Sequence, residues 1–292
     1  CDAYACSSSA VAARLDVPAR EFARLRPPTV AQAWHRQYRE ALDGLRFAFR
    51  DQSRAIVAQR LDAFEAAVDP TVGAILLEPL QGEAGVLPGD PGFFSGIRRL
   101  CDERGILLIM DEVQTGLGRT GRWFGFHHAG INADIVTVAK ALGNGVPIGA
   151  VWATAEVASA FGPGDHGSTF AGQPLAAAAA REVLRVMEEI DVPLLARERG
   201  AELTALLESV PGVAGVRGLG LLLAAELRPE ALNGRTAAEV ARACLEAGLV
   251  VNGVTPTALR LAPPFTVSGE ELVEGVGILA GVMAAGPAGE AT

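Results

Sequence analysis

Lys140 is the single lysine of this 292-residue chain, which otherwise carries its positive side-chain charge on twenty-four arginines. A guanidinium supplies charge at a surface, but it does not deprotonate and condense with an aldehyde as a lysine amine does. Two interpretations are therefore open: a Schiff-base residue kept for its amine, or one stray surface lysine in an arginine-rich composition. The residues around Lys140 favour the first.

Lys140 ends an apolar, β-branched run (residues 134–140), and a glycine-rich segment (141–147) follows it. Such a run is typical of a buried strand, so the amine is expected at the carboxyl end of a strand, where open α/β sheets bind ligands. A second apolar run (106–110) leads directly into Asp111. A lysine and a carboxylate at neighbouring strand ends fit pyridoxal phosphate (PLP), because the lysine can hold the cofactor and the acid can keep its pyridine nitrogen protonated. The alternative for Asp111 is helix capping or a solvated strand end.

Four segments in order now resemble the motifs of class III aminotransferases, which are PLP enzymes of fold-type I. They are LEPLQGEAG (77–85), LLIMDEVQTGLGRTG (107–121), AKALG (139–143) and GSTF (167–170). A fifth, VNGVTPTALRLAPP (251–264), makes the chain most similar to the acetylornithine aminotransferases of that family. Four motifs in the right order are far more specific than one short motif. The resemblance covers roughly residue 34 to the end.

The resemblance implies a role for each matched residue. Lys140 holds the cofactor as a Schiff base and moves the proton between the substrate's α-carbon and the cofactor. Asp111 pairs with the pyridine nitrogen, Val113 packs on the ring, and Gln114 hydrogen-bonds its phenolic oxygen. Thr169 binds the cofactor phosphate across a homodimer interface. For Val113 and Gln114 the alternative is ordinary strand-end residues, and for Thr169 an ordinary turn or N-cap.

The resemblance also implies a substrate site at Glu83, Ser168 and Arg260. In relatives a glutamate at the first position covers an arginine at the last and releases it when a dicarboxylate such as 2-oxoglutarate arrives, an exchange that suits an arginine–carboxylate fork. Ser168 lies beside the substrate, or else belongs to an ordinary turn. Glu83 and Arg260 could equally be two unconnected surface charges, because the sequence does not show that they meet.

Two other sequence features are interpreted as having no ligand-binding role. Residues 116–121 fit the dinucleotide pattern G-x-G-x-x-G, but they lie well beyond the strand that ends near Met110, and no helix opens after them. His127 and His128 are interpreted as packing or loop residues, since the four histidines show no metal-ligand spacing with cysteines. No metal is expected.

Composition predicts a cytoplasmic enzyme. Half of the residues are hydrophobic and lie in short runs, which is enough for a sizeable core and for two domains. A net charge of -9 argues against nucleic acid or an anionic membrane as a partner, and no run reaches the length of a membrane span. The four cysteines make no disulfide framework, which suits a reducing compartment.

The predicted fold is α/β: a truncated PLP-transferase large domain with a mainly parallel sheet, followed by a smaller C-terminal α+β domain. Strands near 74–77, 106–110, 135–139 and 148–153 alternate with helices, among them 91–104 with Gly105 as its C-cap. Two long helices are expected over 174–210 with a break at 191–193. Shorter signals follow at 220–227, 236–247, 249–252 and 268–283. The predicted domains are 1–33, unassigned; 34–190, the partial PLP-binding domain; and 191–292, the small domain.

Residues 1–33 show no recognisable strand–turn–helix pattern and lack the glycine-rich phosphate turn that relatives carry upstream. The expectation is a truncated, mis-started or frameshifted gene product, the alternative being a processed lipoprotein anchored through Cys1. Two functions from different classes stay open. One is an aminotransferase that transfers an amino group from an ω-amine such as N-acetylornithine to 2-oxoglutarate, with ornithine, succinylornithine and 4-aminobutyrate as alternative donors. The other is an inactive remnant that serves at most as a dimerisation or binding module.

Overall fold

The computed structural model describes residues 61–70, 72–162, 165 and 167–285, so the interpretation of residues 1–33 lies outside the described residues. In chain order the helices are α1 (Leu61–Ala67), α2 (Pro91–Arg104), α3 (Ala155–Ala158), α4 (Pro174–Glu189), α5 (Val192–Glu208), α6 (Ala237–Glu246) and α7 (Gly269–Ala285). The strands are β1 (Ala74–Leu77), β2 (Leu80–Gln81), β3 (Leu87–Pro88), β4 (Leu107–Asp111), β5 (Ile135–Val138), β6 (Ala150–Ala153), β7 (Val213–Leu219), β8 (Leu222–Leu227), β9 (Asn252–Gly253) and β10 (Ala258–Leu261). Short 3₁₀ helices lie at Gly125–Ala129, Lys140–Leu142 and Pro229–Leu232.

The first sheet has the strand order β1-β4-β5-β6. β1, β4 and β5 run parallel, with Ala74 opposite Leu107 and Asp111 opposite Thr137. The predicted mainly parallel sheet is therefore confirmed. The last strand differs from the expectation, because it begins at Ala150 and runs antiparallel to β5. The link between β5 and β6 holds only a 3₁₀ turn and a loop, whereas a parallel neighbour needs a long crossover, usually a helix.

Helix α2 packs beside this sheet and forms as its sequence predicts. Asp90 caps its start, where the carboxylate accepts a hydrogen bond from Phe93 N at 2.9 Å, and Pro91 fills the first turn. Gly105 ends it in the left-handed region at φ 66°, which a glycine adopts without a steric penalty. Its buried face joins strand and loop side chains in one hydrophobic core, which includes Phe93, Phe94, Ile97, Leu100, Leu108, Met110, Phe126 and Val136.

The second sheet is antiparallel, with the order β7-β8-β10-β9, and is the predicted smaller α+β part. A second core lies between it and helices α5, α6 and α7. β7 and β10 were not predicted from the sequence, and β9 lies at Asn252–Gly253 rather than over 249–252. Helices α4 and α5 separate at Asp191, near the predicted junction at residue 190, although the domain boundary itself stays a prediction. Within the described ranges no helix is long and apolar enough to cross a membrane.

A small hairpin joins the two sheets. Its strands, β2 and β3, pair antiparallel, with Leu80 opposite Pro88. Leu80 and Val86 are fully buried and pack with Leu222 and Ala224 of β8. This contact packs the hairpin against the second sheet, and the turn of the hairpin, residues 82–86, is called the Glu83 turn below.

Candidate active site

Lys140 lies two residues beyond the end of β5, at the start of a 3₁₀ turn. Its backbone has φ 47°, in the left-handed region that a side chain with a Cβ adopts only at a cost. Hydrogen bonds from Leu142 N to Ala139 O and from Gly143 N to Lys140 O hold the turn. The side chain is exposed and lines a cavity of about 820 Å³. The structure thus places the chain's only lysine at the predicted edge of the sheet.

Val113 and Gln114 line the same cavity. They follow Asp111, the last residue of β4, whose Oδ1 accepts a hydrogen bond from Val113 N at 3.0 Å. Asp111 itself is half-buried and stands opposite Thr137 in the sheet, so it ends its strand at the same edge as Lys140. The four residues predicted at the cofactor ring therefore meet at one edge, three of them on the cavity wall.

Glu112 fixes the loop that presents these residues, and sequence reasoning gave it no role. Its side chain is 1% exposed and accepts hydrogen bonds from Thr115 Oγ1 at 2.5 Å and from Phe126 N at 3.0 Å. Burial raises the pKa of the Glu112 carboxyl, an effect that these hydrogen bonds oppose. The sequence signal for a buried Glu112 was that two acidic residues stand in succession where the buried strand ends. Successive side chains of an extended chain point to opposite sides, so Asp111 and Glu112 cannot both point to the same side.

Glu83 and Arg260, left unconnected by the sequence, form a salt bridge of 2.7 Å between Glu83 Oε1 and an Arg260 guanidinium nitrogen. The same oxygen accepts a hydrogen bond from Gln114 Nε2 at 3.1 Å. The pKa of the Glu83 carboxyl lies below its ordinary value, mainly because of the hydrogen bond that Arg260 donates to it. Both residues line the cavity that Lys140 lines.

Glu78 is a second residue that sequence reasoning missed. It follows β1 and accepts a hydrogen bond from Gly82 N at 3.2 Å. Burial raises the pKa of its carboxyl, and the nearby Asp111 charge adds to the rise, whereas Gly82 N and Lys140 oppose it. Through its hydrogen bond with Gly82 N, Glu78 joins the end of β1 to the Glu83 turn. Its place at the start of the EPLQGE segment was the only signal.

Ser168 and Thr169 are not among the residues that line this cavity. Both are exposed in a turn, where Ser168 Oγ accepts a hydrogen bond from Phe170 N at 3.2 Å and Thr169 O accepts one from Gln173 Nε2 at 3.4 Å. Neither residue lines the cavity of the single chain. Their roles at the phosphate and the substrate stay predictions.

The two histidines and the glycines of the G-x-G-x-x-G segment contact neighbouring protein groups. His127 stands edge-on to Phe124 and Phe126, and His128 Nε2 lies 3.0 Å from Thr120 O. Burial lowers the pKa of both imidazoles. Glycines 118 and 121 sit in positive-φ turns against α5, where a Cβ would lie 2.4 Å from Val192 and 2.6 Å from Arg197. In the part of the chain that the structure describes, no three His, Cys, Asp or Glu side chains form a metal-binding group.

Comparison with known proteins defines the class. The family model "Aminotransferase class-III" matches residues 22–283, so this chain belongs to the class III aminotransferase family. Acetylornithine aminotransferase of Corynebacterium efficiens is 47% identical over 217 residues, which are 74% of this chain and 52% of that protein. The enzyme of the same name from Gloeobacter violaceus is 48% identical over 228 residues, 76% of this chain and 56% of that protein. The chain spans about half the length of the curated relatives it matches.

Solved structures agree on the fold. The ornithine aminotransferase of Plasmodium yoelii matches with a TM-score of 0.70 and 35% identity over 78% of this chain and 61% of that chain. The N-acetylornithine aminotransferase of Stenotrophomonas maltophilia matches with a TM-score of 0.69 and 34% identity over 78% and 60%. An ornithine aminotransferase of Toxoplasma gondii, with a TM-score of 0.71 and 35% identity over 78% and 54%, is described with partial occupancy of PLP at its active site.

The family is PLP-dependent, and the residues described above fit the ring end of that cofactor. The cavity offers one primary amine at Lys140, an apolar contact at Val113 and an amide donor at Gln114, and the neighbouring Asp111 carboxylate accepts a hydrogen bond from Val113 N. Its volume, about 820 Å³, lies within the range of cofactor pockets, roughly 300–1,000 Å³. These groups fit the cofactor, because a primary amine can react with its aldehyde and a carboxylate can pair with its pyridine nitrogen.

Proposed function

We propose that this chain performs PLP-dependent transfer of an amino group from an ω-amine such as N-acetylornithine to 2-oxoglutarate. The supporting observation is that the amine of Lys140 shares one cavity with the Glu83–Arg260 salt bridge. A site for amine chemistry and a site for a carboxylate thus lie within reach of one small substrate. The similarity to acetylornithine aminotransferases supports N-acetylornithine as the donor.

Bound PLP supplies an aldehyde carbon for the amino group and a ring that withdraws the electron pair released at the amine-bearing carbon. Lys140 holds the cofactor through Nζ and then moves a proton at that carbon. Asp111 keeps the pyridine nitrogen protonated, because a carboxylate beside it favours the charged form. Val113 packs on the ring, and Gln114 donates a hydrogen bond to the phenolic oxygen.

Arg260 binds the second carboxylate of the dicarboxylate acceptor. In the structure Glu83 neutralises this arginine, so a substrate carboxylate has to replace Glu83 at the guanidinium. Glu83 is 71% exposed, whereas the Arg260 side chain is 15% exposed. Glu83 can therefore swing into solvent at little cost, and Arg260 can stay on the cavity wall.

We further propose a homodimer in which Thr169 binds the cofactor phosphate of the partner subunit and Ser168 lies beside its substrate. Both residues are exposed and neither lines the cavity of its own chain, which supports this arrangement. The cytoplasmic location and the reducing compartment expected from the composition stay predictions.

Ornithine is a second candidate donor. The ornithine aminotransferase of Bordetella pertussis is 46% identical over 224 residues, 76% of this chain and 54% of that protein, which nearly equals the similarity to acetylornithine aminotransferases. The two donors differ at the α-nitrogen, which is an uncharged amide in one and an ammonium in the other. Discrimination between them depends on groups around that nitrogen.

The test supplies the purified chain with PLP and 2-oxoglutarate and measures glutamate formed from N-acetylornithine or ornithine. We expect glutamate from N-acetylornithine with a higher kcat/KM than from ornithine, and none from the Lys140→Arg variant. A higher kcat/KM with ornithine would select the second candidate. Folded, PLP-loaded chain that forms no glutamate from either donor would contradict the proposal and favour the inactive remnant.

A further inference from the structure

Arg260 holds one end of the Glu83 turn by two contacts. One guanidinium nitrogen donates to Glu83 Oε1 at 2.7 Å and to Gly82 O at 3.2 Å. The arginine therefore binds both the side chain that it has to release and the backbone that carries this side chain. When a substrate carboxylate draws Arg260 away from Glu83, the contact with Gly82 is at risk as well.

A second arginine holds the other end of the Glu83 turn. Arg217 of β7 donates through Nε to Gly85 O at 2.8 Å. In the sheet register both Arg217 and Arg260 stand opposite Ala224, one on each side. Directly opposed residues share a face of the sheet, so the two arginines flank the small alanine and point toward the same turn.

Arg217 is itself fixed in place. A terminal guanidinium nitrogen forms a salt bridge of 2.7 Å with Glu226 Oε2, and the other oxygen of Glu226 accepts a hydrogen bond from the Thr257 hydroxyl. Gly85 has φ 117°, and a Cβ there would lie 3.2 Å from an Arg217 nitrogen and 2.9 Å from Thr255. The turn thus approaches Arg217 as closely as its backbone allows.

We propose that Arg217 is the positioning residue that keeps the Glu83 turn docked on the second sheet while Arg260 binds a substrate carboxylate. The inference rests on the proposed function, in which Arg260 exchanges Glu83 for that carboxylate. Arg217 reaches a backbone carbonyl and not the exchanging side chain, so its contact persists throughout the exchange. The Glu83 carboxylate then returns to the same place when the product leaves.

Hydrogen exchange of peptides that cover residues 78–90 tests this arrangement, because local opening of the turn sets the exchange of its amides. The Arg260→Met variant mimics the withdrawn arginine, and its turn should exchange at the wild-type rate within about twofold. In the Arg217→Met/Arg260→Met double variant the turn should exchange roughly ten- to hundredfold faster, the effect of losing one hydrogen bond from a charged group. Equal exchange in the single Arg260 variant and the double variant overturns the proposal.

The matched control replaces Arg228, whose Nε donates to Val213 O at the start of β7, the strand that also carries Arg217. Arg228→Met/Arg260→Met should exchange like Arg260→Met, and an equal acceleration in this control would count against a specific role for Arg217. Arg217→Lys keeps the charge beside Glu226 but cannot supply two donors in a fixed fork. It replaces Arg217→Met if that variant does not fold, with the same acceleration expected.

A second experiment separates the positioning role of Arg217 from the exchange role of Arg260. It adds glutarate, a dicarboxylate that has no reactive carbonyl. In PLP-loaded Arg217→Met, glutarate should accelerate exchange of the Glu83 turn, because it draws away the remaining arginine. If glutarate has no effect but the double variant still opens, the exchange role of Arg260 fails and the positioning role of Arg217 stands. If the double variant stays closed, the positioning role fails whatever glutarate does.

Discussion

At the scale of single residues, the chemistry of the site depends on functional groups that other residue types do not replace. The only lysine stands at a strand end, with φ in the left-handed region, and faces the cavity that Gln114 and Arg260 line. Twenty-four arginines elsewhere show that charge alone did not require a lysine there. The sequence could predict Lys140, Asp111 and the edge they share, because an apolar run followed by a polar residue marks a strand end.

The single lysine leads to a labelling prediction. After incubation with PLP and reduction with borohydride, we expect the cofactor to be fixed covalently on the peptide that contains Lys140. The chain's α-amino group is the only other amine in the sequence. Mass spectrometry of the digested protein measures the site. Label on the α-amino group alone would sink the assignment, and Lys140→Arg is the control because a guanidinium stays protonated.

Buried Glu112 leads to a prediction about pH. Its pKa is raised above the ordinary value of 4.5, chiefly by burial, so the folded chain binds this proton more tightly than the unfolded chain does. The contribution to stability is complete below pH 4.5 and is lost as the pH rises through the raised pKa. Glu112→Gln keeps the shape but does not ionise. The free energy of unfolding of this variant relative to wild type should therefore increase from acid to neutral pH.

Urea unfolding across that range measures the effect. The exposed Glu103 provides the matched control, since Glu103→Gln changes a side chain that is 66% exposed. A pH dependence of Glu112→Gln that follows the control would show that Glu112 ionises as easily in the folded chain as in the unfolded one. That result would leave the Glu112 hydrogen bonds to Thr115 and Phe126 as a purely geometric support of the loop.

At the scale of elements, local signals predicted the helices better than the edge strands. Helix α2 has an Asp cap, a proline in its first turn and a glycine after its end, so its bounds follow from the sequence. β7 contains Gly215 and Gly218, which weaken the local preference for a strand. The strand forms because it pairs with β8. β9 has two residues and is defined only by its pairing with β10.

The meeting of distant segments was beyond sequence reasoning. Glu83 and Arg260 are far apart in the chain, and their salt bridge depends on how the small hairpin docks on β8 and β10. The antiparallel direction of β6 likewise depends on the link that precedes it. Hydrophobic pattern and turn signals indicate many of the elements, but they carry no information on which sheet face a turn packs against.

Helix α5 crosses the turn between β7 and β8 at close range, which leads to a prediction about packing. A Cβ at Gly200 would lie 2.1 Å from Gly220 O, a backbone atom that cannot move aside without the turn. We expect Gly200→Ala to lower the free energy of unfolding by about 1–3 kcal/mol, as overpacked sites do. Thermal or urea unfolding measures the change.

Gly277 is the matched control, since it lies within helix α7 and a Cβ there meets nothing within 4 Å. Gly277→Ala should raise the free energy of unfolding by up to about 1 kcal/mol, because alanine is the better helix former. If Gly200→Ala lowers and Gly277→Ala raises the free energy of unfolding, the close approach of α5 to Gly220 O is the cause. A stabilising Gly200→Ala would mean that the helix stands further from the turn than the structure places it.

At the scale of the whole molecule, the residue proposed for the cofactor phosphate does not lie with those proposed for its ring. The residues at the ring end share one cavity, whereas Thr169 lies in an exposed turn outside it. Phe170, directly after Thr169, is 82% exposed, and Leu175 at the start of α4 is 79% exposed. The two residues lie close in sequence, and a contiguous exposed apolar patch often marks an interaction surface. The proposed homodimer places this surface against the partner's cavity.

Mixing two inactive variants tests whether Thr169 acts across that interface. Lys140→Arg lacks the amine, and Thr169→Val lacks the hydroxyl that is proposed to bind the phosphate. In a two-fold dimer built from one chain of each kind, one site combines the intact Lys140 of the first chain with the intact Thr169 of the second, and the other site has neither. Random re-assortment should therefore restore about a quarter of wild-type activity in the mixture, because half of the dimers are mixed and each has one complete site. The measurement is glutamate formation after the variants are unfolded and refolded together, with each variant refolded alone as the control. If Thr169 instead serves the cavity of its own chain, every site in the mixed dimer lacks one group, and the mixture stays as inactive as its parts.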